Sequence, residues 1–218
     1  MSAARYPSPP AGPETAAPDT IRSIVGDVVA AAVDAAGASG VIVLRDWTPE
    51  GELTYEWLVH ALGEARVWRG ASLASNVHAG NRDDAQLLGA WAYSRDHGSL
   101  IADPSSKTAL LLGGPLPRAD IFPLGDLYAS QVGVLAGGWN VPEELRGTLD
   151  RAGGVEALDA ALRRLIEGRA GGRVAFAGFD DETAEAVMRL YWRGRSHRLR
   201  RWLVPKLSAR TLGVDLFD

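Results

Sequence analysis

Three carboxylates, Asp46, Glu50 and Glu52, fall within seven residues of the stretch Arg45-Asp-Trp-Thr-Pro-Glu-Gly-Glu-Leu53, together with the hydroxyl of Thr48. Oxygen ligands at alternate positions are how a calcium loop begins, but its twelfth position would need a bidentate Glu and here it is Trp57. The stretch therefore reads as an acidic turn, with Thr48 or Glu52 capping the helix that follows. A second group of polar side chains lies in Ala102-Asp-Pro-Ser-Ser-Lys-Thr108, and a lone acid, Asp120, precedes a Phe-Pro turn. Near the end, residues 189 to 210 carry seven Arg and one Lys with no acid, and His197 stands among them. Such a stripe suits phosphates or another acidic surface. Cysteine is absent, which excludes thiolate chemistry and disulfides. His60, His78 and His97 have no spacing that suggests a metal site or a triad.

The net charge of −4 conceals an asymmetry, since the eight cations of residues 189 to 210 leave about −12 for everything else. Overall acidity and the lack of interleaved aromatic and basic repeats argue against a dedicated nucleic-acid binder. The 46% hydrophobic content of 218 residues fits one medium α/β domain with its own core. No stretch approaches the ~20 apolar residues of a membrane span, and the N-terminus lacks the apolar region of a signal peptide, so a cytoplasmic protein is expected.

Residues 1 to 18 hold five of the twelve prolines and are expected to form a flexible tail, leaving residues 19 to 218 as a single domain. Asp19 or Thr20 should cap a first helix in which Ile21, Ile24, Val25, Val28, Val29 and Val33 recur at helical spacing, ending near Gly37. The uninterrupted run Gly40 to Leu44 suits a central parallel strand covered on both faces. A second helix is expected from Leu53 to Leu62, a short strand around Ala65 to Trp68, and a third helix from Asp83 to Asp96 with Leu87, Leu88, Trp91 and Ala92 inward. Another strand should span Ser99 to Ala102. The order βαβαβ predicts a Rossmann-like, doubly wound parallel sheet. A helical C-terminal part follows, over Asp126–Ala136, Glu143–Leu149, Val155–Glu167 and Asp181–Arg193. Trp57, Trp91 and Trp192 fall on apolar helix faces, as core or dimer interface, while Trp47 is placed to plug the crevice beyond Leu44.

In an open parallel sheet, ligands sit beyond the C-terminal strand ends. The segment most informative about them is Ala119-Asp-Ile-Phe-Pro-Leu-Gly-Asp-Leu-Tyr-Ala-Ser-Gln-Val132, followed by Leu135-Ala136 and Asn140-Val-Pro-Glu143. It resembles the NAD synthetase family, with its Ala-Asp-Ile-x-Pro-Leu-x-Asp-Leu-Tyr-Lys-x-Gln-Val stretch, helix and Val-Pro turn. Asn81 opens the expected Asn-initiated helix, Leu158-Asp-x-x-Leu162 resembles a later family helix, and Gly178-Phe-Asp-Asp-Glu182 leading to Ser196-His-Arg198 resembles its last helix and basic end. The resemblance covers some 190 residues in unbroken order. It implies a pyrophosphatase-loop ligase that adenylates deamido-NAD with ATP and magnesium, then amidates it with ammonia. It also implies a homodimer with the dinucleotide at the subunit interface. By family position the nucleotide-binding residues are Asp46, Asn81, Asp103, Thr108, Asp120, His197 and Arg198, with no catalytic residue and no metal ligand assigned.

The family's Ser-Gly-Gly-x-Asp-Ser loop cradles pyrophosphate on backbone N–H groups, and Arg45 to Leu53 departs from it. Pro49 has no N–H to give, and three acids stand where phosphate should lie unless cations intervene. Thr108 occupies the position of the metal-binding Glu, the Thr-Lys-x-Gly-Asp element is missing, and Ala129 replaces the Lys of the Tyr-Lys-x-Gln motif. Arg198 replaces a Lys, keeping charge but changing geometry. The expectation is a family member that is inactive or reassigned, retaining the fold, the dimer surface or a nucleotide. The alternatives are an active amidoligase with a divergent ATP loop and a polyanion-binding module built on the C-terminal Arg cluster.

Overall fold

The computed structural model describes residues 17–75, 77, 80–113, 119–141, 143–168, 170–194 and 203–207. Most of the proline-rich tail, His78, His197, Arg198 and most of the basic stripe lie outside the described residues.

The elements run α1 (Pro18–Ala35), β1 (Val41–Val43), α2 (Pro49–Leu62), β2 (Val67–Arg69), α3 (Gly70–Leu73), α4 (Arg82–His97), β3 (Leu100–Ala102), α5 (Lys107–Leu111), α6 (Ala129–Ala136), α7 (Glu143–Ala152), α8 (Val155–Ile166), α9 (Gly172–Ala175) and α10 (Asp181–Arg193). A 3-10 turn, Glu64–Arg66, leads into β2. The sheet order is β2-β1-β3, all parallel, with Ile42 opposite Trp68 on one side and Ile101 on the other. Two further parallel bridges, Ala102 to Ile121 and Ile121 to Leu203, extend the sheet beyond β3. The expected central strand is β1, and its residues are wholly buried.

Alternation along β1 explains the two-sided burial. Val41 and Val43 join a core with Ile21, Val25, Val29 and Val33 of α1 and Trp57 and Leu58 of α2. Ile42 and Leu44 face the opposite way, into a smaller core with Ile101 and Ala90. Helices thus cover both faces, the doubly wound arrangement the sequence implies. A third core joins Leu110 to Leu112, Phe122, Leu158, Leu162, Phe176 and Val187 beneath α8 and α10. Among the described residues no helix is long and apolar enough to cross a membrane.

Several element ends differ from expectation for identifiable reasons. α1 begins at Pro18 with Ala17 as an uncapped N-terminus, because proline presets the helical φ and lacks the N–H that a cap would satisfy. α2 begins at Pro49 rather than Leu53 for the same reason, and here Thr48 does cap, accepting from Gly51 N at 3.1 Å. On α4 the inward face is Gln86, Gly89 and Ala90, while Leu88, Trp91 and Ala92 are exposed. Gly89 decides this: a Cβ there would sit 2.3 Å from Leu73 O, so the helix presses its glycine against α3 and turns its larger apolar residues outward. Trp57 is buried as expected, whereas Trp192 is 57% exposed.

Asp126, expected to begin the helix after the Phe-Pro turn, lies instead in the buried segment before it. α6 starts at Ala129, with Tyr128 N–H donating to Gln131 Oε1 at 2.9 Å. Asp126 is displaced from a capping role because a buried cation, Lys107, needs its carboxylate at 3.2 Å.

Candidate functional site

The strand ends converge on the acidic turn. Leu44 closes β1, and the next residue, Arg45, adopts φ 49°, the left-handed region that disfavours side chains. The turn must be this tight because Gly51 of α2 lies against it: a Cβ on Gly51 would come within 1.9 Å of Arg45 O. The Thr48 hydroxyl donates to Arg45 O at 2.8 Å and completes the turn.

That backbone directs the Arg45 side chain across to β3. Its guanidinium pairs with the Asp103 carboxylate and donates to Ser105 Oγ, while Ser105 N–H donates to Asp103 Oδ1 at 2.8 Å. The Asp103 side chain is fully buried and that of Arg45 is 14% exposed. Burial alone would lower the Arg45 pKa, but the carboxylates of Asp103, Asp83 and Glu50 together outweigh it and the net shift is upward. The Arg45 N–H donates to Gln86 Oε1, whose amide nitrogen in turn donates to Asp46 Oδ1 at 2.6 Å. Asp46 Oδ1 also accepts from Ala71 N at 3.2 Å.

The other acids of the turn are engaged as well. Glu52 is held by Arg69 through two bonds of 2.6 and 2.7 Å, which keep its carboxyl below the usual range. Arg69 lies 3.8 Å from the centre of the Tyr55 ring. Glu50 is buried and accepts from Asn140 N at 3.2 Å, and burial pushes its carboxyl up. Cations therefore do intervene in the acidic turn: Arg45 meets Asp103, and Arg69 meets Glu52 with Asp46 4.0 Å away. Two cations thus stand among four acids, and the charge repulsion expected from the bare sequence is offset in part within the protein.

The sequence-predicted positions among the described residues separate into four places. Asp46 and Asp103 flank Arg45 at the strand ends. Asn81 is the N-cap of α4, accepting from Asp84 N at 2.8 Å, and Asp120 is tied to the sheet edge, accepting from Ile101 N at 2.8 Å. Thr108 belongs to a separate buried network: its hydroxyl donates to Asp159 Oδ1 at 2.5 Å and accepts from Ala129 N at 2.9 Å. Asp159 Oδ2 accepts from Ser130 N at 2.7 Å, and burial raises its pKa despite these bonds. His197 and Arg198 lie outside the described residues.

Trp47 is half-buried with the Arg82 guanidinium 3.7 Å from its ring centre, and with Glu52, Glu56 and Leu135 it lines a cavity of about 490 Å³. At the strand ends themselves it is Arg45 that meets Asp103. A larger cavity, about 760 Å³, lies away from the strand ends among α6, α7 and α8, beside Trp139 and Arg146. Sequence reasoning did not single out Arg45, Arg69, Gln86 or Asp159. For the two arginines a signal existed, since acids beside a buried strand require counter-ions; Asp159 stood in the Leu158-Asp-x-x-Leu162 match, and for Gln86, buried on a helix distant in sequence, there was none.

No family model matches the chain. A curated relative does: the NH(3)-dependent NAD(+) synthetase of Chlorobium phaeobacteroides (strain BS1) is 31% identical over 166 residues, which cover 67% of this chain and 59% of that protein. The chain is NAD synthetase-like. It spans about three fifths of the length of the curated relatives it matches. Among solved structures, the NH3-dependent NAD synthetase from Campylobacter jejuni subsp. jejuni NCTC 11168 in complex with the nitrate ion superposes with a TM-score of 0.54 at 15% identity, covering 81% of this chain and 93% of that one. The NMN synthetase from Francisella tularensis gives a TM-score of 0.53 at 14% identity, covering 85% and 96%. At those identities the likeness is one of fold.

The groups present do not fit magnesium-bound ATP in the conformation described. The N–H of Arg45 is taken by Gln86, that of Gly51 by Thr48, and residue 49 is proline. Asp103 is bonded to Arg45, and both roles of the Thr108 hydroxyl are filled. Among the described residues, no three His, Cys, Asp or Glu side chains converge to hold a metal ion.

Proposed function

We propose that this NAD synthetase-like chain does not carry out ATP-dependent amidation of deamido-NAD, and that its fold serves as a dimerising or nucleotide-binding scaffold. The observation that carries the reading is the Arg45 guanidinium seated against Asp103 and Ser105 at the C-terminal strand ends. A phosphate cradle works by presenting unengaged donors in a concave backbone. Here the N–H groups of Arg45, Thr48 and Gly51 already have partners inside the protein, and an internal cation takes the position across from β3. The chain matches 59% of its curated relative, so the activity and partners of the complete protein fall within this proposal.

Isothermal titration with ATP, magnesium and deamido-NAD, followed by an assay for AMP after ammonia is added, tests it. We expect no saturable ATP binding and no AMP. Saturable binding with AMP release overturns the reading and establishes the rival, an amidoligase with a divergent loop. Pairing of two copies is supported by the exposed Leu88 and Trp91 on α4, at 50% and 55%. Light scattering should give a dimer mass, and a monomer at tens of micromolar refutes that part.

A further inference from the structure

We propose that residues 203–207 act as a strap whose docking on Asp126 holds the loop after β3 in place, and through that loop the Arg45–Asp103 pair. The chain returns to the sheet after α10: Leu203 bridges Ile121 in parallel, and Phe122 N–H donates to Leu203 O at 3.0 Å. Four residues on, Leu207 N–H donates to Asp126 Oδ2 at 2.7 Å. Val204 packs on the core beneath α8 and α10, and Leu207 on the core between the sheet and α1. The strap thus joins two cores at a sheet edge through backbone groups as much as side chains.

Asp126 is the hub. It is wholly buried, and its other oxygen accepts from Lys107 Nζ at 3.2 Å. Lys107, also wholly buried, donates to Glu167 Oε1 at 3.2 Å, and its own N–H donates to Leu127 O at 2.7 Å. It opens α5, and the four residues before it are the loop containing Asp103 and Ser105. A carboxylate gripped on both oxygens is oriented by both donors, and in a low-dielectric interior its geometry toward Lys107 matters strongly. Charge-assisted bonds therefore join strap, Asp126 and Lys107, and Lys107 is continuous in the chain with the loop that binds Arg45.

The test compares Leu207→Pro, which deletes the donor N–H but keeps apolar bulk, with Leu207→Ala, which keeps the donor and trims the packing. Amide hydrogen exchange is followed across residues 105–111 in the full chain. Leu207→Pro should speed exchange there by roughly tenfold, as expected when a hydrogen bond to a charged group is lost, with β1 and β2 unchanged. Leu207→Ala should change it much less. Equal effects of the two variants, or no effect of Leu207→Pro on 105–111, overturn the proposal. Asp126→Asn gives a second reading that does not depend on proline: exchange at Leu207 and across 105–111 should rise together, and a rise confined to one side also overturns it.

Discussion

The guanidinium of Arg45 and the carboxylate of Asp103 form a buried ion pair across the C-terminal ends of β1 and β3. One partner sits in a strained left-handed turn and the other directly follows the neighbouring strand, so the pair ties together the two loops in which a nucleotide would be expected.

Removing one member leaves the other buried and unpaired. Asp103→Ala should cost about 3–5 kcal/mol, whereas Arg45→Met combined with Asp103→Leu should cost far less, because neither charge then needs desolvating. The buried Arg45 Nε and Asp103 Oδ2 have no hydrogen-bonding partner among the described residues, which favours the apolar double variant further. Urea unfolding of the three proteins measures the difference. A double variant as unstable as the single one would mean that the pair contributes net stability.

Two glycine substitutions should act in opposite directions. Gly51→Ala would place a Cβ 1.9 Å from Arg45 O and should destabilise by more than about 1–3 kcal/mol, since backbone rather than a movable side chain is in the way. In α7, Gly147 has no atom within 4 Å of such a Cβ, so Gly147→Ala should stabilise by roughly 0.5–1 kcal/mol. Thermal melting of both variants decides whether the contact between α2 and the turn is as tight as described.

Burial raises the carboxyl of Glu50 above its ordinary value of 4.5, and the bond from Asn140 N does not offset this. A raised folded pKa means that the folded state holds the proton more tightly than the unfolded chain. Its stabilising contribution is present below the ordinary carboxylate value and is lost as pH rises through the folded value. Glu50→Gln keeps an acceptor but cannot ionise. It should match the parent below about pH 4 and be more stable at neutral pH. Stability curves that run parallel from acid to neutral pH would show that Glu50 does not titrate differently on folding.

Lys107 tests the second polar centre. Lys107→Met removes a buried cation from between Asp126 and Glu167 and should cost about 3–5 kcal/mol in urea unfolding. A loss below about 1 kcal/mol would mean the two acids are adequately held by their other partners.

The sequence by itself determined the sheet and the two helical layers. The continuous β-branched run at residues 41–43 can be satisfied only by burial on both faces, and the helical spacing of Val25, Val29 and Val33 aims one stripe at it. Thr48 as a cap and Trp57 as core were legible for the same reason: both follow from patterns within one turn or one helix. Outward Leu88 and Trp91 were not, because hydrophobicity named that face of α4 while a backbone contact between Gly89 and Leu73 chose another. Nor could the sequence pair Arg45 with Asp103, Gln86 with Asp46, or Asp126 with Lys107 and Leu207, residues separated by 19 to 81 positions. Periodicity reports which residues leave water, but which donor each buried acid finds is decided only when the strands and loops are brought side by side.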